Sequence, residues 1–333
     1  MDELFKKQKK NLGIEVLRMI LCFWVLCFHC LNQKKINYFL FFLTKTKFYH
    51  VPCFCFMSFY FSYKIFLLRD MNNCKKRIER LLIPYIIWPL IIFIINNYLL
   101  KKSIISFSVY QLIIQLILGR QFIVPFWYLF VIIFLTLLFF ILSSLSKKNF
   151  IFIIQILGLF SYIVQYSNYY NFLEKYNSNV KGSIIGALFL LPLSVTGIII
   201  AKSNIITIFK ENVGKTLFFS YLLIYSSFKY NIFVDIGAYK GMINIFTSVS
   251  LFIGFYLLPF EKSCNFFQKS IKYFTSYTNG IYCLHSYIIY CFKLYFRISG
   301  IFQNSIIIYL FTYFISFLGM KILGKTKLKY LFI

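Results

Sequence analysis

Acidic side chains are scarce in this chain: nine Asp and Glu stand against 36 Lys and Arg in 333 residues, a formal charge of +27. Charged residues of either sign reach only 14%, whereas 60% of the chain is hydrophobic and 22% aromatic. So little charge excludes an ordinary soluble domain and makes the long apolar runs membrane spans. The basic excess does not indicate nucleic acid, because the cations are scattered at the ends of apolar runs and are not gathered on one soluble face. There is no His-Glu-x-x-His zinc site, no phosphate-binding glycine loop and no Ser-His-Asp set. The nine cysteines lie mostly inside apolar segments and lack the paired spacing of a secreted disulfide scaffold. No metal is expected at Cys27, His29 and Cys30 either. On a helix the two cysteines share a side from which the histidine points away, and no fourth ligand presents itself.

What the chain does contain is a succession of apolar windows, each roughly 17–22 residues long, the length that crosses a hydrocarbon core of ~30 Å. They start near Leu12, Phe48, Leu82, Phe126, Asn149, Ser183, Gly214, Met242, Tyr277 and Asn304. This predicts an all-α fold, a polytopic membrane helical bundle of about ten transmembrane helices forming a single domain over residues 1–333. The window from Gly214 to Lys229 is the shortest. No connection exceeds about 25 residues, well below the size of a domain, so any chemistry belongs to the membrane part. If Lys6, Lys7, Lys9 and Lys10 face the cytoplasm, the inner segments hold 22 basic residues and the outer loops, including Gln33–Lys47, hold 13, with Arg18 inside the first span. Cytoplasmic loops retain Lys and Arg, so both termini are expected inside, residues 1–11 as a basic leader and 325–333 as a tail. The first run is too long for a signal peptide and lacks a small-residue cleavage site, which predicts a retained helix. Residues 104–118 mix Ser, Gln and Tyr with Ile and Leu and read as an interfacial or re-entrant helix. Pro84 and Pro89 should kink the third span or free its carbonyls. The fifth to eighth spans carry almost no intramembrane charge and read as scaffold.

Ionisable groups at membrane depth are costly, about 2.5–3.5 kcal/mol for an arginine at a helix centre, and they mark function. Arg18 and His29 lie eleven residues apart in the first span. That is close to three helical turns, so they project from one face about 16 Å apart. The plain alternative pairs Arg18 with Glu15 one turn earlier and satisfies His29 from a neighbouring helix. Arg77 and Arg80, spaced i and i+3, share a face where the third span leaves the cytoplasm. Two guanidinium forks suit a phosphate-rich ligand, since each bonds bidentately; anchoring to lipid head groups is the plain alternative. Only six of the 36 basic residues are arginines, and two fall in this pair. His285, in apolar surroundings near the ninth span, and His50, at the outer end of the second, carry weaker signals.

These landmarks resemble the acyltransferase-3 family of integral-membrane acyltransferases, which O-acetylate lipopolysaccharide, capsule, peptidoglycan and related glycans. The matching pieces are Ile14-Glu15-Val16-Leu17-Arg18 through His29, Val51-Pro52 to Ser58, Arg77-Ile78-Glu79-Arg80-Leu81-Leu82-Ile83-Pro84, Phe126-Trp127-Tyr128-Leu129, and Gly280-Ile281-Tyr282-Cys283-Leu284-His285. The resemblance implies an acetyl group taken from cytoplasmic acetyl-CoA and passed to a glycan or lipid-linked sugar hydroxyl near the outer face of a bacterial plasma membrane. Arg18 and His29 then match the catalytic pair of the first helix, with His29 as general base or transient acyl carrier; the base needs no further partner and is preferred. Arg77 and Arg80 match the arginines that hold CoA, with Ser58, Trp127, His285 and Glu15 as weaker site candidates. Where many members carry Ser-Gly in the second helix, this chain has Ser58-Phe59, so close helix approach there loses its usual means. Unlike some members, this chain is expected to carry no hydrolase-like extracytoplasmic domain, and an acyl relay of that kind would require a separate protein.

Two other readings use the same residues. In a polytopic exporter of a glycan or lipid-linked sugar, Arg18 and His29 line a translocation path without acyl chemistry. In a non-catalytic assembly partner the motifs are idle. The arginine pair separates them, because an exporter has no evident need of a CoA site on its cytoplasmic face.

Overall fold

A computed structural model describes residues 11–30, 50–94, 108–118, 127–166, 183–203, 205–207, 209, 213–229, 242–278, 280–285, 288–289 and 305–324. The N-terminal lysines, the Gln33–Lys47 loop, the tail 325–333 and the side chains of Cys27 and Cys30 lie outside the described residues. Among the described residues there are helices and turns and no strand. The helices are α1 (Leu12–Cys30), α2 (His50–Leu67), α3 (Met71–Ile94), α4 (Val109–Leu118), α5 (Trp127–Leu142), α6 (Lys147–Tyr166), α7 (Ile184–Ser203), α8 (Val213–Lys229), α9 (Met242–Leu257), α10 (Asn265–Thr275) and α11 (Ser305–Gly324). Helical residues 280–285 precede α11.

Short polar side chains start several of these helices by accepting the first free backbone N–H groups. Asn11 Oδ1 accepts from Ile14 N–H at 3.1 Å at the head of α1. Asp70 Oδ1 accepts from Asn73 N–H at 3.0 Å at the head of α3, and these bonds hold the exposed Asp70 carboxyl below its ordinary pKa. That cap explains one departure from the expected start near Leu82: the chain turns only around residues 68–70, and α3 begins at Met71 and runs unbroken through Pro84 and Pro89. Arg77 and Arg80 therefore sit on a formed helix with their i, i+3 spacing intact.

The bundle has an inner and an outer layer. The long apolar helix α7 is 78% buried, whereas α6, also long and apolar, is only 28% buried and turns Phe152, Ile156, Leu159, Phe160 and Ile163 outward. Helix α11 likewise exposes Leu310, Phe311, Phe314, Leu318 and Ile322. Outward apolar faces of this extent require lipid in place of water. Among the described residues three helices, Lys147–Tyr166, Ile185–Ser203 and Met242–Lys262, are long and apolar enough to cross a membrane; Trp127–Leu142 and Leu310–Ile322 are shorter apolar helices. Helix α4 has 10 residues, about 15 Å of helix, too short to cross by itself.

Helix α2 occupies the centre and packs most extensively on α7, with further contacts to α9, α1 and α5. The close approach that Phe59 denies from the α2 side comes from the opposite side. A Cβ added to Gly197 of α7 would stand 2.7 Å from the Phe56 carbonyl oxygen and 3.0 Å from Tyr60 N, so the two backbones meet where no side chain fits. Ser58 lies in the turn that Gly197 touches.

Candidate active site

A cavity of about 580 Å³ opens between α1, α2, α3, α5, α9 and residues 278–283. Its size lies within the usual range for small-molecule sites. Its charged lining consists of Arg18, Arg77, Arg80 and Glu15, so among the described residues three cations face it with one carboxylate. Four residues singled out on the sequence, together with Ser58, thus share one chamber.

The arginines are held in different ways. Arg18 pairs with Glu15 across 3.3 Å and donates through Nη2 to Thr278 Oγ1 at 3.5 Å. The plain reading of Arg18 as an ion pair one turn along the helix is thus present, and the pair faces the cavity all the same. Arg77, half-buried, is anchored by neutral oxygens. Its Nε donates to Thr136 Oγ1 at 3.1 Å, Nη1 to Ser62 Oγ at 2.5 Å and to the Ser58 carbonyl at 3.3 Å, and Nη2 to Ser58 Oγ at 2.8 Å. The buried Thr136 hydroxyl can accept from Arg77 because it donates its own proton to Ile132 O at 2.6 Å. The Arg77 guanidinium also lies 5.2 Å from the centre of the Phe59 ring. Four of its five N–H groups are engaged, none by a carboxylate. Arg80 is exposed, with Nε bonded to Lys76 O at 3.1 Å, and its guanidinium can swing.

The histidines gather elsewhere. His29 is not among the described residues that line the cavity; its ring lies 5.1 Å from that of His285, centre to centre. His285 is fully buried, and its Nδ1 lies 2.6 Å from Tyr282 O and 3.2 Å from Ile281 O. His50, discounted on the sequence, is buried and close enough to both other rings to interact electrostatically with them. His29 and His285 therefore form one group, apart from the arginines. Tyr282 joins this group to the chamber: it lines the cavity, with its ring 5.7 Å from His285 and 6.0 Å from Tyr128, another lining residue. Among the described residues, no three His, Cys, Asp or Glu side chains are disposed to hold a metal.

Trp127 is not part of the lining. Its indole packs on α7, where a Cβ on Gly186 would stand 2.7 Å from Cε3, and the cavity takes its neighbour Tyr128 instead. Helix rotation decides between the two, since consecutive residues point about 100° apart. Tyr128, Thr278 and Tyr282 were absent from the sequence-derived site. Tyr128 and Tyr282 lay inside quoted motifs, but nothing in the sequence showed which residue of each motif turns inward.

The family model described as an Acyltransferase domain, acyltransferase-3 type, matches residues 11–324. The chain belongs to the acyltransferase-3 family. Neither a curated protein nor a solved structure matches it. Membership makes this a membrane acyltransferase in general terms, and the acyltransferase-3 match takes in every wall of the cavity, from Asn11 to Cys283.

Proposed function

We propose that this membrane acyltransferase moves an acetyl or similar short acyl group from cytoplasmic acyl-CoA to a hydroxyl of a cell-envelope glycan or lipid-linked sugar. In this reading the helices make about ten crossings of a bacterial plasma membrane, with both termini in the cytoplasm. The observation that carries it is Arg77. A half-buried guanidinium held only by hydroxyl and carbonyl oxygens keeps its full positive charge uncompensated, and such a charge favours an anionic ligand. Arg80 beside it and Arg18 across the chamber add to the same field. The phosphates of CoA supply the matching charge, and CoA is a polyanion that does not cross bilayers, which places Arg77 and Arg80 on the cytoplasmic side. Glu15 keeps Arg18 in place, and Ser58 does the same for Arg77.

With the phosphates at Arg77 and Arg80, the thioester extends past Tyr128 and Tyr282 toward His29. There His29 takes the proton of the acceptor hydroxyl, the oxygen attacks the thioester carbonyl carbon, the carbon–sulfur bond breaks, and the proton returns to the departing CoA sulfur. The ester formed stays with the glycan. An extracytoplasmic relay protein is a further partner if the final acceptor lies beyond the membrane surface.

The test is acetyl-CoA binding to the full chain in lipid nanodiscs, combined with mass spectrometry of envelope glycans from cells with and without the gene. Binding that is lost in the Arg77→Ala, Arg80→Ala double variant, together with an acyl mass difference on a glycan, supports the reading. Glycan export that stops without the gene, with no acyl difference and no CoA binding, favours the exporter.

A further inference from the structure

The proposed chemistry gives His29 a proton to remove but does not say what holds the imidazole ready, and that question has a structural answer resting on the reading above. Carbonyl oxygens only accept hydrogen bonds. The two carbonyls at His285 Nδ1, Tyr282 O at 2.6 Å and Ile281 O at 3.2 Å, therefore place a hydrogen on that nitrogen. In the neutral ring the other nitrogen, Nε2, is then an acceptor. The ring of His29 neighbours that of His285, 5.1 Å away centre to centre and tilted by 48°, a separation short enough for a hydrogen bond between ring nitrogens. His285 is fully buried, so protein surrounds it and its tautomer is set by its own helix.

We infer that His285 is a positioning residue for acyl transfer, its Nε2 accepting a hydrogen bond from His29 so that the opposite nitrogen of His29 faces the acceptor hydroxyl unprotonated. The arrangement is that of a catalytic imidazole oriented by a hydrogen-bond acceptor behind it, with a neutral imidazole in the place a carboxylate often takes. Acidic residues are rare in this chain, nine among 333. When His29 takes the hydroxyl proton, it becomes an imidazolium whose second N–H is still bonded to His285. The proton then passes to the thiolate leaving group, and both rings return to their starting state.

Two amide replacements separate orientation from packing. Asparagine at 285 places its amide where Nδ1 stands, and so keeps a donor to the Tyr282 and Ile281 carbonyls while losing the acceptor toward His29. Glutamine reaches the position of Nε2 and restores that acceptor. Acetyl transfer is read in inverted membrane vesicles containing the full chain and the native acceptor, supplied with radiolabelled acetyl-CoA. His285→Asn should lower kcat by about 10–100-fold, the usual loss when the partner behind a working histidine is removed, with KM for acetyl-CoA unchanged. His285→Gln should recover much of that loss. If Asn retains full turnover and Gln does not, the ring serves only its own helix and the inference is overturned. If Asn raises KM instead of lowering kcat, it is overturned as well. His29→Ala distinguishes the failures: inactive His29→Ala beside fully active His285→Asn removes only the pairing, whereas fully active His29→Ala removes the general base on which the pairing rests.

Discussion

The two ends of the proposed reaction path are built on opposite principles. At the arginine end, Arg77 has four N–H groups engaged by Ser58, Ser62 and Thr136, and its charge is still unanswered. At the histidine end, no formal charge need be present, and two rings lie together with one tautomer set by backbone carbonyls. Hydroxyl and carbonyl oxygens fix the direction of a guanidinium without neutralising it, which suits a site for an anion. Gathered imidazoles in apolar surroundings suit a proton that arrives and leaves. Tyr128 and Tyr282 stand between the two, so the proposed reaction keeps binding and chemistry in separate parts of one fold.

Substitutions that affect one end only would sharpen that contrast. The largest effect is expected from His29→Ala: acyl transfer should fall by about 10²–10⁴-fold with acetyl-CoA binding preserved, measured by label incorporation and by titration on the same nanodisc sample. A weakened CoA affinity in that variant would break the division. Arg77→Lys keeps the charge but loses the planar fork, so KM for acetyl-CoA should rise by about 10–100-fold, about 1.4–3 kcal/mol, while kcat changes little. Arg80→Ala should give a smaller rise that shrinks at high salt, because this side chain is exposed.

Gly197→Val tests how the arginine end is supported. Its side chain would drive against the Phe56 carbonyl in the turn that holds Ser58, lowering stability by about 1–3 kcal/mol and raising KM before kcat, as thermal melting and kinetics would show. The smallest effect belongs to Asp70, whose removal by Asp70→Ala should lower stability by about 0.5–2 kcal/mol through loss of the α3 cap. Its carboxyl titrates lower in the folded state than in the unfolded one. The cap is therefore at full strength above about pH 4 and fades as pH falls through the folded value, a dependence that melting curves of Asp70→Asn should lack.

Helix positions were largely legible, because a segment that must satisfy its own backbone in oil shows itself as an apolar run. The helices begin within a few residues of the expected starts at Leu12, Phe48, Asn149, Ser183, Gly214, Met242 and Asn304. The head of α3 was not, because an apolar window starts only near Leu82, whereas the Asp70 cap starts the helix at Met71 among polar and basic residues. Arg18, Arg77 and Arg80 were legible by their rarity. His50 was not, since nothing local to it points across the bundle to His29 and His285.

Composition and spacing alone determined that this chain is helical, is built for lipid and carries arginines and histidines inside its apolar runs, because those are properties of single segments and their solvent. Which residue of each motif faces inward, that Gly197 replaces a glycine missing from α2, and that the distant His29 and His285 meet were decided only by tertiary packing. Helix rotation and helix–helix approach depend on contacts between segments far apart in the chain, and no local pattern encodes them.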